Sequence, residues 1–144
     1  QLMNEQARNL LQQIARTGRA MYAAFEVEVG HALPRWRILQ ALHEQKRATQ
    51  KQLASQLRMD PGALTRQMKT LEAEGLVTRR SSSEDNRLTA VALTPAGVKL
   101  IKAAQPLRKA FSRKALQGLP TEQLDTAMAV LQRLEERFRR MYGQ

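Results

Sequence analysis

Met59-Asp60-Pro61-Gly62-Ala63-Leu64-Thr65-Arg66-Gln67-Met68-Lys69-Thr70-Leu71-Glu72 is the stretch on which the reading of the chain turns. Asp60 suits an N-cap, because its carboxylate can accept from the free amides of a first helical turn. Pro61 then falls at the first helical position, where a missing N–H removes no hydrogen bond. At ~100° per residue, Leu64, Met68 and Leu71 share one stripe, while Gly62, Thr65, Arg66 and Lys69 fall roughly opposite. The spacing predicts a short helix with an apolar back and a small, cationic front. Such a front suits the major groove of DNA: arginine forks onto guanine, threonine contacts a base or a thymine methyl, and glycine lets the backbone approach. The same front also fits the solvated side of an ordinary core helix, so the flanking segments must decide.

Just upstream, Thr49 is placed to cap a short helix over residues 50–57, with Leu53, Ala54 and Leu57 facing inward. Arg58-Met59 is a tight connector. Two short helices joined this way, the second with a polar front, form a helix-turn-helix. Small Ala54 lies where the two must approach closely. Lys46-Arg47-Ala48 reads as a basic turn. Before it, Pro34 opens a helix that carries Trp36, Ile38, Leu39 and Leu42 and runs to about Glu44. Gly30-His31-Ala32-Leu33 is a break. Residues 4–25 read as a long helix, with Leu10, Leu11, Ile14, Met21, Tyr22 and Phe25 at three- and four-residue steps and an interruption at Gly18.

Downstream, Gly75 ends the quoted helix as a C′ glycine. Leu76–Arg80 and Leu88–Leu93 read as two strands around the polar loop Ser81–Arg87. A hairpin directly after such a helix is a wing. Arg79 and Arg80 would line its stem, and Arg87 would stand near its tip, where a lone arginine can enter a narrow minor groove. Alternatively Arg87 pairs with Asp85 or Glu84 inside the loop. Thr94-Pro95 opens a helix over about 96–116, which Pro106 is expected to kink and Gly118 ends. Leu119-Pro120-Thr121 opens the last helix, through about Met141, with Leu124, Met128, Leu131, Leu134 and Phe138 on one face. With residues 4–25 and 96–116 that face is expected to make a dimer interface; a self-contained monomeric bundle is the alternative.

Composition narrows the function. The 144 residues carry 24 Lys+Arg against 13 Asp+Glu, a formal charge of +11. That excess favours a polyanion, through release of counterions from phosphates, although a merely soluble basic protein would show it too. The absence of cysteine excludes disulfides, thiolate zinc sites and thiol redox sensing. No apolar run approaches the ~20 residues that span a bilayer, and no signal-peptide pattern is read, so a cytoplasmic protein is expected. Gln1 in place of Met suggests a processed or shortened start.

The order helix, helix, helix-turn-helix, wing, two long helices fills about 140 residues. Within it stand Leu76-Val77-x-Arg79-Arg80-x4-Asp85-x-Arg87 and Val91-x-Leu93-Thr94-x2-Gly97. In these features the chain resembles the MarR family of bacterial transcription regulators, over essentially its whole length. The resemblance implies one domain, 1–144, mainly α with a small β-hairpin wing. Residues 33–95 would form the winged helix-turn-helix lobe, and 1–32 and 96–144 the dimerisation helices. It implies a homodimer that represses genes near its own by binding a pseudo-palindrome in double-stranded DNA. It implies that residues 60–72 carry the recognition helix and that Asp85 and Arg87 hold the wing-tip roles. Many members release DNA when a small aromatic or phenolic acid binds; the peroxide-sensing branch needs a cysteine, and the zinc-sensing branch needs more histidines than His31 and His43.

No catalytic constellation, metal site or cofactor motif is expected: there is no thiol, no Ser/His/Asp pattern around either histidine and no glycine-rich phosphate loop. Glu26 and Glu28 read as solvated acids near a helix end. The DNA contacts expected are Gly62, Thr65, Arg66, Gln67 and Lys69 in the major groove, Arg79, Arg80, Asp85 and Arg87 on the wing, and Thr49 and Lys51 on phosphates. Arg16, Tyr22, His31, Arg35 and Trp36 gather at the junction of the first two helices. There an arginine could pair with a carboxylate, Trp36 could stack on a ring and His31 could hydrogen-bond a hydroxyl or ring nitrogen. Phenolic, benzoate-like and nicotinate-like acids would satisfy such groups; alternatively Trp36 is core and the arginines are surface. A ligand would act by population shift, favouring a lobe spacing that no longer matches grooves ~34 Å apart. A nonspecific architectural nucleic-acid binder and a protein-binding winged helix are the rival readings.

Overall fold

Turn chemistry sets the boundaries of the central elements. A computed structural model describes residues 3–81 and 89–143. The helices are α1 (Met3–Val29), α2 (Leu33–Gln45), α3 (Gln50–Leu57), α4 (Pro61–Ala73), α5 (Pro95–Leu116) and α6 (Thr121–Met141). The strands are β1 (Arg47–Thr49), β2 (Val77–Ser81) and β3 (Thr89–Leu93). Thr49 caps α3 in a reciprocal box: its hydroxyl accepts from the Gln52 amide at 3.0 Å, and the Gln52 side chain accepts from the Thr49 amide at 2.9 Å. Asp60 caps α4 by accepting from the Ala63 amide at 3.0 Å, ahead of Pro61. α4 ends at Gly75, whose φ of +76° closes a pair of bonds, Gly75 N–H to Glu72 and Leu76 N–H to Leu71.

The three strands form an antiparallel sheet in the order β1-β3-β2. β2 and β3 are the stem of the hairpin, pairing Val77 with Leu93 and Ser81 with Thr89. The fold is thus mainly α with a small antiparallel sheet, a winged helix-turn-helix. Three sequence expectations need correction. The stretch read as a basic turn at Lys46-Arg47-Ala48 includes a strand, because Arg47–Thr49 finds its ladder partners on Ala90–Ala92, more than forty residues away. α1 runs on past Phe25 to Val29, which is as buried as Phe25 and extends its stripe by one turn. Gly18 lies within an unbroken helix. Pro106 lies in the interior of α5.

The chain divides into two compact units, Gln1–Phe111 and Ser112–Gln144, the boundary falling inside α5. The core of the first is built from Ile38, Leu39 and Leu42 on α2, Leu53 on α3, Leu64, Met68 and Leu71 on α4, Val91 on β3 and Ile101 on α5, all fully buried. Burying each such side chain stabilises by ~1.5–3 kcal/mol. Packing of this kind holds an eight-residue helix such as α3 that would not survive alone. The α4 end is also bolted to the base of the hairpin. The Thr94 hydroxyl donates to the Gly75 carbonyl at 2.6 Å and accepts from the Gly97 amide at 3.1 Å. Gly97 comes so close that a Cβ there would lie 2.2 Å from the Leu76 carbonyl oxygen. In the second unit, every residue of α6 is at least partly exposed, and Glu135–Arg139 forms an ion pair at 3.0 Å.

Candidate nucleic-acid interface

The buried stripe of α4 fixes which side of that helix is left for a partner. With Leu64, Met68 and Leu71 turned into the core, Gly62, Arg66 and Lys69 are exposed and Thr65 is half-buried at the edge facing α3. Gln67 sits at the opposite margin, also half-buried. Arg66 and Lys69 make no ion pair among the described residues, so the front of α4 carries two uncompensated cations. Gly62 leaves room that the Arg66 guanidinium partly occupies: a Cβ at Gly62 would lie 3.6 Å from Arg66 Nη1 and 3.1 Å from Asp60 Oδ2.

Around this front the polar side chains are tied to one another. The Thr65 hydroxyl donates to the Pro61 carbonyl at 3.0 Å, one turn back. It also accepts from Gln50 Nε2 at 3.5 Å. Gln50 Oε1 in turn accepts from Arg79 Nη1 at 3.2 Å. Arg79 turns its other two nitrogens to Glu72, with Nε and Nη2 donating to Oε1 at 3.1 and 3.0 Å. Arg79 is therefore held between β2, α3 and α4, whereas Arg80, next along the strand, is exposed. Thr49 spends its hydroxyl on the α3 cap, and Lys51 stands exposed beside it. These two, with Gln52, Ser55 and Gln56, line a surface hollow of about 440 Å³. Asp85 and Arg87 lie outside the described residues.

The residues expected to meet a small molecule separate into two groups. Trp36 is turned into the core, edge-on to Phe25 with ring centroids 5.7 Å apart. Tyr22 shares the face of α1 that carries Phe25 and Val29 but is half exposed. Arg35 instead pairs with Glu74, the C-cap between α4 and its C′ glycine. His31 feels both of those charges; burial and the Arg35 guanidinium hold its pKa below the ordinary 6.5, against a smaller opposing pull from Glu74. Arg16 is exposed and, at 1.5 Å per residue, roughly 13 Å along α1 from Phe25, so it joins neither group. Sequence reasoning missed Arg108, whose guanidinium stands 5.4 Å over the Trp36 ring. The signal was present: Ile101, Ala104, Arg108 and Phe111 recur at three- and four-residue steps, so Arg108 is a lone cation on the inward stripe of α5. The Trp36 indole N–H is buried with no hydrogen-bond partner among the described residues.

Two short capped helices, the second with an open cationic front, set beside a three-stranded sheet with a hairpin stem, define the winged helix-turn-helix class of DNA-binding proteins. The MarR family model matches residues 32–89. An uncharacterised HTH-type transcriptional regulator of Bacillus subtilis, YdgJ, is 30% identical over 125 residues, covering 87% of this chain and 76% of that protein. The fold is shared with a mutant MarR from E. coli complexed with operator DNA, at a TM-score of 0.79 and 21% identity over 93% of this chain and 98% of that one. It is shared also with BpsR of Bordetella bronchiseptica, at a TM-score of 0.77 and 18% identity over 88% and 98% of the two chains. The chain belongs to the MarR family of transcriptional regulators. No helix among the described residues is long and apolar enough to cross a membrane.

Proposed function

We propose that the protein is a homodimeric, sequence-specific repressor that leaves a pseudo-palindromic operator when a small aromatic acid binds. The observation that carries the DNA half is the α4 front: Arg66 and Lys69 stand exposed, with no ion pair among the described residues, on a helix whose every large apolar side chain is buried. Arg66 forks onto a guanine, and Lys69, Thr65 and Gln67 border the same groove. Arg80 and the wing tip with Asp85 and Arg87 work the neighbouring minor groove, and Lys51 holds a phosphate beside α3. A single lobe reads one half-site. The apolar face of α6, with Met128 57%, Leu131 47% and Phe138 38% exposed, supports a second copy as the partner that doubles the reader.

The effector half rests on Trp36. A buried indole N–H without an acceptor among the described residues, beneath a guanidinium, suits an aromatic ring that carries a carboxylate or hydroxyl. The regulation of DNA binding by 6-hydroxynicotinic acid in BpsR, a relative in fold, supports that class of ligand. An incoming carboxylate also competes with Glu74 for Arg35, and so loosens the far end of α4. A ligand acts only through its preference for one state, here the lobe spacing that misfits successive grooves.

Footprinting of the DNA upstream of the protein's own gene, repeated with benzoate-, phenol- and nicotinate-type acids, tests both halves. A protected pseudo-palindrome, bound ~10³-fold or more above random DNA at the same salt and released by at least one acid, is expected. Equal affinity for operator and random DNA would mark an architectural binder instead.

A further inference from the structure

We propose that Glu72, Arg79 and Gln50 form a positioning relay that turns the Thr65 hydroxyl away from DNA, so that Thr65 reads a thymine through its methyl group. This rests on the reading of α4 as the groove-facing helix. The relay begins at Glu72 Oε1, which takes two bonds from Arg79 and fixes the plane of its guanidinium. The remaining Arg79 nitrogen donates to Gln50 Oε1 at 3.2 Å, and this decides which way the Gln50 amide faces. With its oxygen held, Gln50 presents Nε2 to the Thr65 oxygen at 3.5 Å.

Thr65 has one hydroxyl proton, and that proton goes to the Pro61 carbonyl at 3.0 Å. The hydroxyl therefore has no donor left for guanine O6 or N7, or for thymine O4. Its oxygen is directed at α3 and the preceding turn, and the γ-methyl is the group left to meet a base edge. In the major groove an apolar methyl finds its match in the C5-methyl of thymine. The relay also gives Arg79 a role other than the phosphate contact its place on the wing stem suggests. Three of the five guanidinium N–H groups donate within the protein and hold the group in place, so Arg79 acts as a positioning residue, and the open cations for phosphates on that stem begin with Arg80.

The test uses the full chain and a duplex chosen by selection from a random-sequence library. Each thymine of the selected duplex is replaced in turn by deoxyuridine, which removes only the methyl. One thymine in each half-site is expected to show a loss of about fourfold, the worth of one buried methyl. Thr65→Val, which keeps the methyl, retains that loss; Thr65→Ser, which keeps only the hydroxyl, binds the two duplexes equally. Arg79→Gln weakens the preference for thymine over deoxyuridine while leaving the salt dependence of binding unchanged, whereas Arg80→Gln lowers its slope by about one. Thermal melts confirm that each variant is folded. A selected duplex with no demethylation-sensitive thymine overturns this proposal alone. So does sensitivity that survives in Thr65→Ser, or a slope that falls by about one in Arg79→Gln. A selection that returns no preferred sequence overturns the regulator reading, and this inference with it.

Discussion

Leu64, Met68 and Leu71 on α4 and Leu124, Met128, Leu131, Leu134 and Phe138 on α6 are spaced alike, at three- and four-residue steps. The α4 set is exposed by 1% or less, while Met128 and Leu131 on α6 are exposed by 57% and 47%. Periodicity announces that a helix has a face to cover; it does not say what covers it. α4 is covered by α3 and strand β2 of its own chain, and what it leaves outside is cationic. α6 leaves outside the very face that would ordinarily be buried. One helix is covered within its chain, and the other is left open.

The largest expected effect falls on the complete side. Leu71→Ala should lower folding stability by ~2–5 kcal/mol, because a buried leucine leaves a cavity as well as lost transfer energy. Urea unfolding monitored by circular dichroism measures it. Leu131→Ala, followed at protein concentrations low enough to disfavour association, should cost ~1 kcal/mol or less, as expected of a side chain already half in water. Equal losses at the two positions would erase the contrast between the helices.

The next test exchanges the roles. Met128→Glu with Leu131→Glu places two charges on the open face of α6. Sedimentation equilibrium should show the mass falling from two chains to one, with helicity kept. Operator affinity should drop by at least the factor that joining two half-sites supplies, ~10²-fold or more. An unchanged mass would mean that the open face serves something other than a second copy.

These two helices also show what the residue pattern could and could not convey. The caps at Thr49, Asp60 and Gly75 were legible because each depends on neighbours within a few positions, and so were the stripes of α2 and α4. Strand β1 was not, since Arg47–Thr49 becomes a strand only by pairing with Ala90–Ala92 across the chain. The same holds at the site. Arg66 and Lys69 could be placed on an open front from spacing alone. That Arg79 is engaged by Glu72 and Gln50 depends on how β2 lies against α3 and α4, which no local pattern encodes. Trp36 and Arg35 are adjacent in sequence, which groups them in one cluster; their side chains part, one to Phe25 and the other to Glu74.

A smaller effect is expected where α4 meets Arg35. The Arg35–Glu74 pair is partly exposed, with 19% and 46% of the two side chains accessible, so Glu74→Gln should change stability by ~1 kcal/mol or less. Its larger consequence concerns ligands. With Arg35 released, benzoate- or nicotinate-type acids should bind several-fold more tightly by isothermal titration calorimetry. Unchanged affinity would place the carboxylate elsewhere, with Arg108 the alternative.

The finest test titrates His31, which reports on the same end of α4. Burial and then Arg35 disfavour its protonated form, and Glu74 opposes them, so the folded chain holds its pKa below the ordinary 6.5. Between that depressed value and about pH 6.5 the unfolded chain binds a proton that the folded one does not, so stability rises with pH there. The contribution of His31 is thus fully present above about pH 6.5 and is lost as pH falls through the folded pKa. Thermal melts of the wild type and of His31→Gln across pH 5 to 8 should run parallel above that window and diverge within it. Glu74→Gln removes the one influence that raises the pKa, and Arg35→Gln removes one that lowers it. Imidazole titration by NMR should therefore place the midpoints in the order Glu74→Gln, wild type, Arg35→Gln, from low to high. A reversed order would mean that the histidine faces charges other than the Arg35–Glu74 pair at the end of α4.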